Sequence, residues 1–339
     1  MRTEALRTIK GLAIGAVGGG LAWLVGLPAP MLMGPAITVT IAAVMGQRMH
    51  MPVWLRDSAF VVIGIGMGAG VTPETLEAVR TWPASVAMLV VVVAAILLAG
   101  AGAVTGLFGK DWRTSVLAAS PGHLSYVLGL GVEMRADIGF VTVVQSLRLL
   151  ALTLLVPVVV VMGGQVGAPS NPVAPLELLP LGLCIIAAGL SGLVMARIGV
   201  PAALLLGGMF VSSLAHGVGL IHGGVPEWLA LPAFAVMGTL IGTRFDGARW
   251  LVLRAALGAA VVLTTLSVGI AMIGAFIVAA LTGLPLMQLL IAFAPGGVET
   301  MAAMSVLLDA DPAFVAAHHV LRLFVLTALV PIVLRLRKA

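Results

Sequence analysis

Ser120-Pro121-Gly122-His123-Leu124 and Ala294-Pro295-Gly296-Gly297-Val298 stand 174 residues apart, and the agreement continues on both sides of them. At that offset Asp137 pairs with Asp311, Phe140 with Phe314, Arg148 with Arg322, Thr153 with Thr327 and Pro157 with Pro331. Upstream, Pro52, Trp54, Phe60, Gly64, Gly68 and Arg80 pair with Pro226, Trp228, Phe234, Gly238, Gly242 and Arg254. Near the start the offset becomes 173, matching Gly19 to Gly192, Pro28 to Pro201 and Gly34 to Gly207, so one residue was gained or lost between the blocks. Rare residue types in register over most of each half identify a duplicated unit. The halves meet at a Gly/Pro/Asn-rich stretch. It divides the chain into a first repeat at 1–163, a linker at 164–176 and a second repeat at 177–339.

Composition says where such a unit lives. The chain is 61% apolar and 9% charged, whereas a soluble domain carries roughly a quarter charged residues to wet its surface. Apolar runs such as Val86 to Phe108 and Ala255 to Leu281 reach the ~20 residues a helix needs to cross the bilayer core. The 42 glycines and 19 prolines would weaken soluble helices but are tolerated in membrane helices, where glycine permits close packing. The net charge of +5 is scattered over helix ends without a basic patch or interleaved aromatics, which argues for membrane topology and against nucleic acid as a partner. Cys184 is the single cysteine, so neither an internal disulfide nor zinc-ligand spacing is available. The first apolar run has no good cleavage site after it and reads as a retained helix.

Each repeat shows the same segments. In the first they fall at about 11–27, 30–46, 57–71, 84–108, a broken element at 114–132, and 137–162. In the second they fall at about 178–197, 201–219, 229–243, 254–281, a broken element at 285–307, and 312–334. If the broken element crosses the membrane, the repeats are parallel and Arg135, Arg197, Arg244, Arg249 and Arg254 lie outside. If it enters and leaves on one side, the repeats are inverted and those arginines join Arg7, Lys10, Arg48, Lys110 and Arg335 in the cytoplasm. Only Arg80 is then external. The positive-inside rule selects the second arrangement. The expected fold is an all-α polytopic membrane protein: two inverted repeats, ten spans, two broken re-entrant helices and both termini cytoplasmic.

A helix broken at mid-depth exposes N–H and C=O groups that lipid cannot satisfy, and the N-terminal end of a half-helix is a seat for an anion. This makes Ser120, Pro121 and Gly122 in the first break, and Pro295, Gly296 and Gly297 in the second, candidate substrate-binding positions; the alternative is a pair of packing kinks. His123, Ser125 and Tyr126 follow the first break, and Glu299 and Thr300 follow the second. Glu299 matches Ser125, and this asymmetry suits a coupling carboxylate, as against one that caps the half-helix or pairs with an arginine. Arg148 and Arg322 lie about a dozen residues into apolar helices, where an unpaired guanidinium is expensive. They read equally as clamps for a carboxylate substrate or as structural ties to the carbonyls of the breaks. His318 and His319 match Val144 and Gln145. They are coupling candidates if one faces the site, or simply bonded to backbone. Asp137 and Asp311 read as helix caps. Gly64, Gly66, Gly68 and Gly70 read as a packing ladder, and His50, His216 and His222 as interfacial.

With those residues in view, the chain resembles the bacterial AbrB-duplication membrane family. The carriers are Ser120-Pro121-Gly122-His123-Leu124, Ala294-Pro295-Gly296-Gly297-Val298-Glu299-Thr300-Met301, and the paired Asp137…Arg148 and Asp311…Arg322 stretches. The likeness covers nearly the whole chain. It implies a multi-pass protein of the bacterial inner membrane, of transporter type, with no settled substrate. An ammonia-monooxygenase label carried by some members, and the soluble DNA-binding regulator that shares the family's name, find no support in these residues.

The expected function is secondary transport of a small solute, an organic anion, coupled to H⁺ or Na⁺, with lipid as the surrounding partner and a homodimer left open. A Walker A motif is absent from the sequence, so ATP is not the direct drive. An intramembrane enzyme is the competing reading. It lacks HxxxH or Glu-x-x-His ligand patterns for an oxygenase and offers only Ser120 with His123 for a protease; neither a catalytic residue, a metal nor a cofactor is assigned. A non-transporting membrane subunit is the third, and it would not require two polar helix breaks.

Overall fold

The structure is a computed structural model and describes residues 2–69, 82–122, 124–162, 174–248, 250–308 and 310–336. Most of the expected linker, Gly70, Arg80, His123, Arg249 and the Ser125 side chain lie outside the described residues. Within the described residues, fourteen helices follow one another: α1 Arg2–Leu24, α2 Pro30–Val44, α3 Val53–Ala69, α4 Trp82–Phe108, α5 Trp112–Ala119, α6 Leu124–Glu133, α7 Ile138–Met162, α8 Leu178–Arg197, α9 Ala203–Gly217, α10 Glu227–Thr243, α11 Trp250–Thr282, α12 Leu286–Phe293, α13 Val298–Leu307 and α14 Pro312–Arg335. Five of them, α4, α7, α8, α11 and α14, are long and apolar enough to cross a bilayer. The protein is therefore an all-α polytopic membrane protein. Three segments expected as spans form the shorter apolar helices α2, α9 and α10, below the ~20 residues of a full crossing.

The chain folds into two compact units. Unit 1 comprises Met1–Val79, Thr153–Gly247 and Glu299–Ala316; unit 2 comprises Arg80–Leu152, Ala248–Val298 and Ala317–Ala339. Each unit takes corresponding stretches from both repeats, so the compact units and the sequence repeats divide the chain differently.

Unit 1 is packed through glycine faces. On α3, a Cβ at Gly64 would strike the Leu205 carbonyl, and one at Gly68 would strike the Met209 carbonyl and Ser212, both on α9. On α10, Gly238 meets the Leu32 carbonyl and Gly242 meets Val39 and Thr40, both on α2. These are one helix pair made twice with the repeats exchanged, and in both pairs the partners run parallel. Close approach of this kind needs a hydrogen in place of a side chain. Ser212 Oγ adds a bond to the Ile65 carbonyl at 2.7 Å. The far ends of α2 and α10 come together where Arg48 stands 3.7 Å from Asp246.

The duplication extends to the backbone. Ala29 and Ala202, just before α2 and α9, both hold left-handed φ of 50° and 52°. That conformation costs a non-glycine residue ~1–2 kcal/mol, yet both repeats keep it at the same place.

Unit 2 is built around α4 and α11, which are counterparts in the two repeats. Gly100 lies against Leu263, Gly258 against Phe108 and Gly274 against Val92. One number rises as the other falls, so these counterparts run antiparallel. Both broken elements expected from the sequence are present, each as a helix of 8 residues followed by one of 10. Such pieces are ~12–15 Å long, about half a bilayer core. In the first element α6 folds back along α5. A Cβ at Gly131 would lie 3.3 Å from Leu117, Arg113 Nη1 donates to the Met134 carbonyl at 3.3 Å, and Asp137 N donates to Thr114 Oγ1 at 3.0 Å. The element leaves at the end where it entered.

Candidate functional site

The two breaks meet inside unit 2. Gly122 has φ of +85°, and a Cβ there would lie 2.7 Å from Arg322 Nη2 and 2.8 Å from the Gly296 carbonyl. Only glycine combines that backbone angle with such an approach. Ser120, Pro121, Pro295 and Gly296 are buried, and Gly122 and Gly297 half-buried.

Each break is tied by a polar pair from the last helix of its own repeat. On α7, Gln145 Nε2 donates to the Leu117 carbonyl at 2.9 Å. One turn on, Arg148 donates to the carbonyls of Ala118, Ala119 and Ser120 at 3.5, 3.2 and 2.8 Å. On α14, His319 Nε2 faces the Ile291 carbonyl at 3.0 Å, and a ring nitrogen against a carbonyl must carry the proton. Arg322 donates from Nη1 to the Ala294 carbonyl at 2.6 Å and from Nη2 to the Gly296 carbonyl. Leu117 corresponds to Ile291, and Ser120 to Ala294, so one tie is built twice. Of the two roles open to the arginines in the sequence, the tie to carbonyls is what the bonds show. Bonds from a charged donor are worth ~1.5–3 kcal/mol each, and the carbonyls they meet end half-helices that lipid cannot solvate.

The charge of these arginines is a separate matter. Arg148 and Arg322 are 2% and 1% exposed, and each lies within electrostatic reach of the other. Neither joins an ion pair among the described residues. Carbonyl oxygens satisfy the donors without neutralising two positive charges. Around them Ser120 Oγ, His319 Nδ1 and Arg322 Nε are buried without a hydrogen-bond partner among the described residues. They offer a hydroxyl, a lone pair and an N–H to a small polar ligand.

The remaining candidates divide. His318 is fully buried with Nε2 2.8 Å from Ser85 Oγ, between the rings of Trp82 and Phe293; it therefore faces away from its neighbour's bond to Ile291. Ser85, a serine in an apolar run, gave no sign of this partnership in the sequence. Tyr126 Oη donates to the Thr327 carbonyl at 3.4 Å. Glu299 and Thr300 belong to unit 1. Glu299 is half-buried in the first turn of α13, where the helix end favours a carboxylate, and it lies within electrostatic reach of Arg244. Asp137 and Asp311 do cap their helices, each through Oδ1: Asp137 accepts from Phe140 N, and Asp311 from Ala313 N and Phe314 N.

Known proteins are similar to this chain over most of its length. A family model described as "Transition state regulatory protein AbrB" matches residues 31–338. "Uncharacterized protein YhjN" of Bacillus subtilis (strain 168) is 26% identical over 359 residues, covering 96% of this chain and 92% of the relative. "Putative regulator AbrB" of Escherichia coli (strain K12) is 26% identical over 305 residues, covering 88% of this chain and 87% of the relative. Duplicated Pro-Gly breaks, a buried arginine behind each and a family match over most of the length lead to one assignment: the chain belongs to the AbrB family of duplicated membrane proteins.

Proposed function

We propose that this protein is a secondary transporter of a small organic anion, with its binding site at the crossed breaks of unit 2. One observation carries the reading: two fully buried guanidiniums stand there within electrostatic reach of each other, with no carboxylate paired to either among the described residues. A charged side chain inside a membrane faces the bundle interior, pairs with backbone carbonyls as these two do, and marks a substrate or ion pathway. Unpartnered Ser120 Oγ, His319 Nδ1 and Arg322 Nε supply polar contacts.

An inverted arrangement of the repeats supports the same class. The counterparts α4 and α11 run antiparallel, α2 runs parallel to α10, and Arg48 and Asp246 share one end of unit 1. Parallel repeats would place Arg48 and Asp246 on opposite faces. With basic residues inside, both termini are cytoplasmic and the membrane is the bacterial inner membrane. Inverted repeats with interrupted helices serve alternating access in other transporters. The two compact units supply the two bodies such a motion needs, and a driving gradient of H⁺ or Na⁺ acts through Glu299. This is a carrier's design rather than an enzyme's.

Uptake of labelled small carboxylic acids into liposomes holding the purified protein tests the proposal. Saturable accumulation under an imposed H⁺ or Na⁺ gradient is expected. His319→Gln keeps a donor for the Ile291 carbonyl, as Gln145 does for Leu117, while removing the spare ring nitrogen. It should lower uptake of hydroxy acids, whose O–H that nitrogen can accept, about tenfold, equivalent to ~1.4 kcal/mol. Glu299→Gln should uncouple uptake from the gradient. Accumulation of neutral or cationic solutes in preference to every acid of the panel would remove the anion from the proposal.

A further inference from the structure

Unit 1 contains a cavity of its own, of about 410 Å³, a volume in the range of small-molecule sites. Its walls include Ile63, Gly66, Val225, Phe234 and Val306, and Asp311 is the one charged residue among the described residues that line it. The Asp311 cap explains one oxygen only. Oδ1 accepts from Ala313 N at 2.9 Å and Phe314 N at 3.1 Å, and neither bond uses Oδ2.

The first repeat shows what the other oxygen is suited to. There Asp137 spends Oδ1 on the same cap and Oδ2 on the Lys110 ammonium, 2.8 Å away. That ammonium also stands 4.4 Å from the centre of the Phe140 ring, within cation–π range. At the 174-residue offset the lysine becomes Leu284, so the second repeat keeps the carboxylate and drops its cation. Asp311 instead lines an apolar cavity whose walls include one aromatic ring, Phe234.

We propose that this cavity binds a small organic ammonium ion with an apolar body, its charge received by the Asp311 carboxylate as Lys110 is received by Asp137 in the first repeat, and its body by the apolar wall that includes Phe234. Ser305 contributes a further acceptor. Its hydroxyl hydrogen goes to the Ala302 carbonyl at 2.7 Å, which leaves oxygen lone pairs at the wall. Burial raises the Asp311 carboxyl above its ordinary value, opposed only by the two backbone N–H bonds, as expected for a carboxylate that the fold itself gives no cation. This site is independent of the anion proposed at the breaks and shares no residue with it.

Thermal unfolding of the purified full chain, titrated with 2-phenylethylammonium, 3-phenylpropionate and 2-phenylethanol, reads the charge and the body of the ligand separately. A saturable rise in Tm with the ammonium and none with phenylethanol is expected; a rise with phenylpropionate that survives in Asp311→Asn belongs to the breaks. Asp311→Asn keeps the cap acceptor at Oδ1 and removes the charge; binding should weaken at least about tenfold. Gly66→Leu fills the space beside Val225 and Val306, which a Cβ at Gly66 would meet at 3.8 and 3.9 Å, and should abolish the rise. An equal shift from phenylethanol, or an unchanged ammonium response in Asp311→Asn, would overturn the assignment whatever the breaks transport.

Discussion

The two breaks are the same device with different reserves. In the first, Arg148 meets three carbonyls and Gln145 a fourth, and an amide side chain has no second ring nitrogen to offer. In the second, Arg322 meets two carbonyls and keeps a free Nε, and His319 keeps a free Nδ1. The first break thus keeps one spare buried polar atom, Ser120 Oγ, while the second keeps two, Arg322 Nε and His319 Nδ1. Duplication supplied a frame twice and left one copy free to specialise.

Removing the ties should expose this difference. Arg148→Met strands three buried carbonyls and should cost about 4 kcal/mol, whereas Arg322→Met strands two and should cost about 3 kcal/mol, less whatever is regained by separating the two charges. Denaturant unfolding of both variants in detergent gives the order, and a larger loss at Arg322 would reverse the comparison. Gly122→Ala combines a left-handed φ with a clash against Arg322 and Gly296; about 2 kcal/mol is expected by the same measurement.

The smallest effect separates the aspartates. The Lys110 hydrogen bond holds Asp137 below the ordinary 3.8, with the Phe140 N–H helping. A depressed folded value means stability that is present above pH 3.8 and lost as pH falls through it. Burial raises Asp311 above 3.8. The folded state then binds the proton more tightly than the unfolded chain, so the contribution is full below 3.8 and lost as pH rises through the raised value. Tm measured against pH should therefore lose its acid-side fall in Asp137→Asn and its alkaline-going fall in Asp311→Asn. The same slope change in both variants would show the two caps to be equivalent.

Much of this was legible in the chain. The 174-residue register located both breaks, and the helices stop where Ser120-Pro121-Gly122 and Ala294-Pro295-Gly296-Gly297 stand, because proline removes an N–H and glycine admits φ beyond the reach of other residues. Matching Arg148 to Arg322 foretold paired roles and offered the tie to carbonyls as one of two equal readings, but not which of the two the guanidiniums adopt. Buried arginine seeks any acceptor, and which one lies nearest is a tertiary fact. Asp311 read as a cap, correctly, yet a cap occupies one carboxylate oxygen. The cavity beside the other arises from segments distant in sequence, with no local signal. Ser85 was missed for the same reason: its partner lies on α14.

The exchanged helix pairs of unit 1 bear on how the protein is made. Gly64 and Gly68 find their partners at Leu205, Met209 and Ser212, and Leu32 finds its own at Gly238. When the ribosome has finished the first repeat, none of those partners has been synthesised. The glycine face of α3, and the face of α2 that receives the glycines of α10, must therefore wait in the bilayer until α9 and α10 emerge, and only then can the unit close. The first half expressed alone should stay open to degradation, and two halves translated from separate messages should rescue each other.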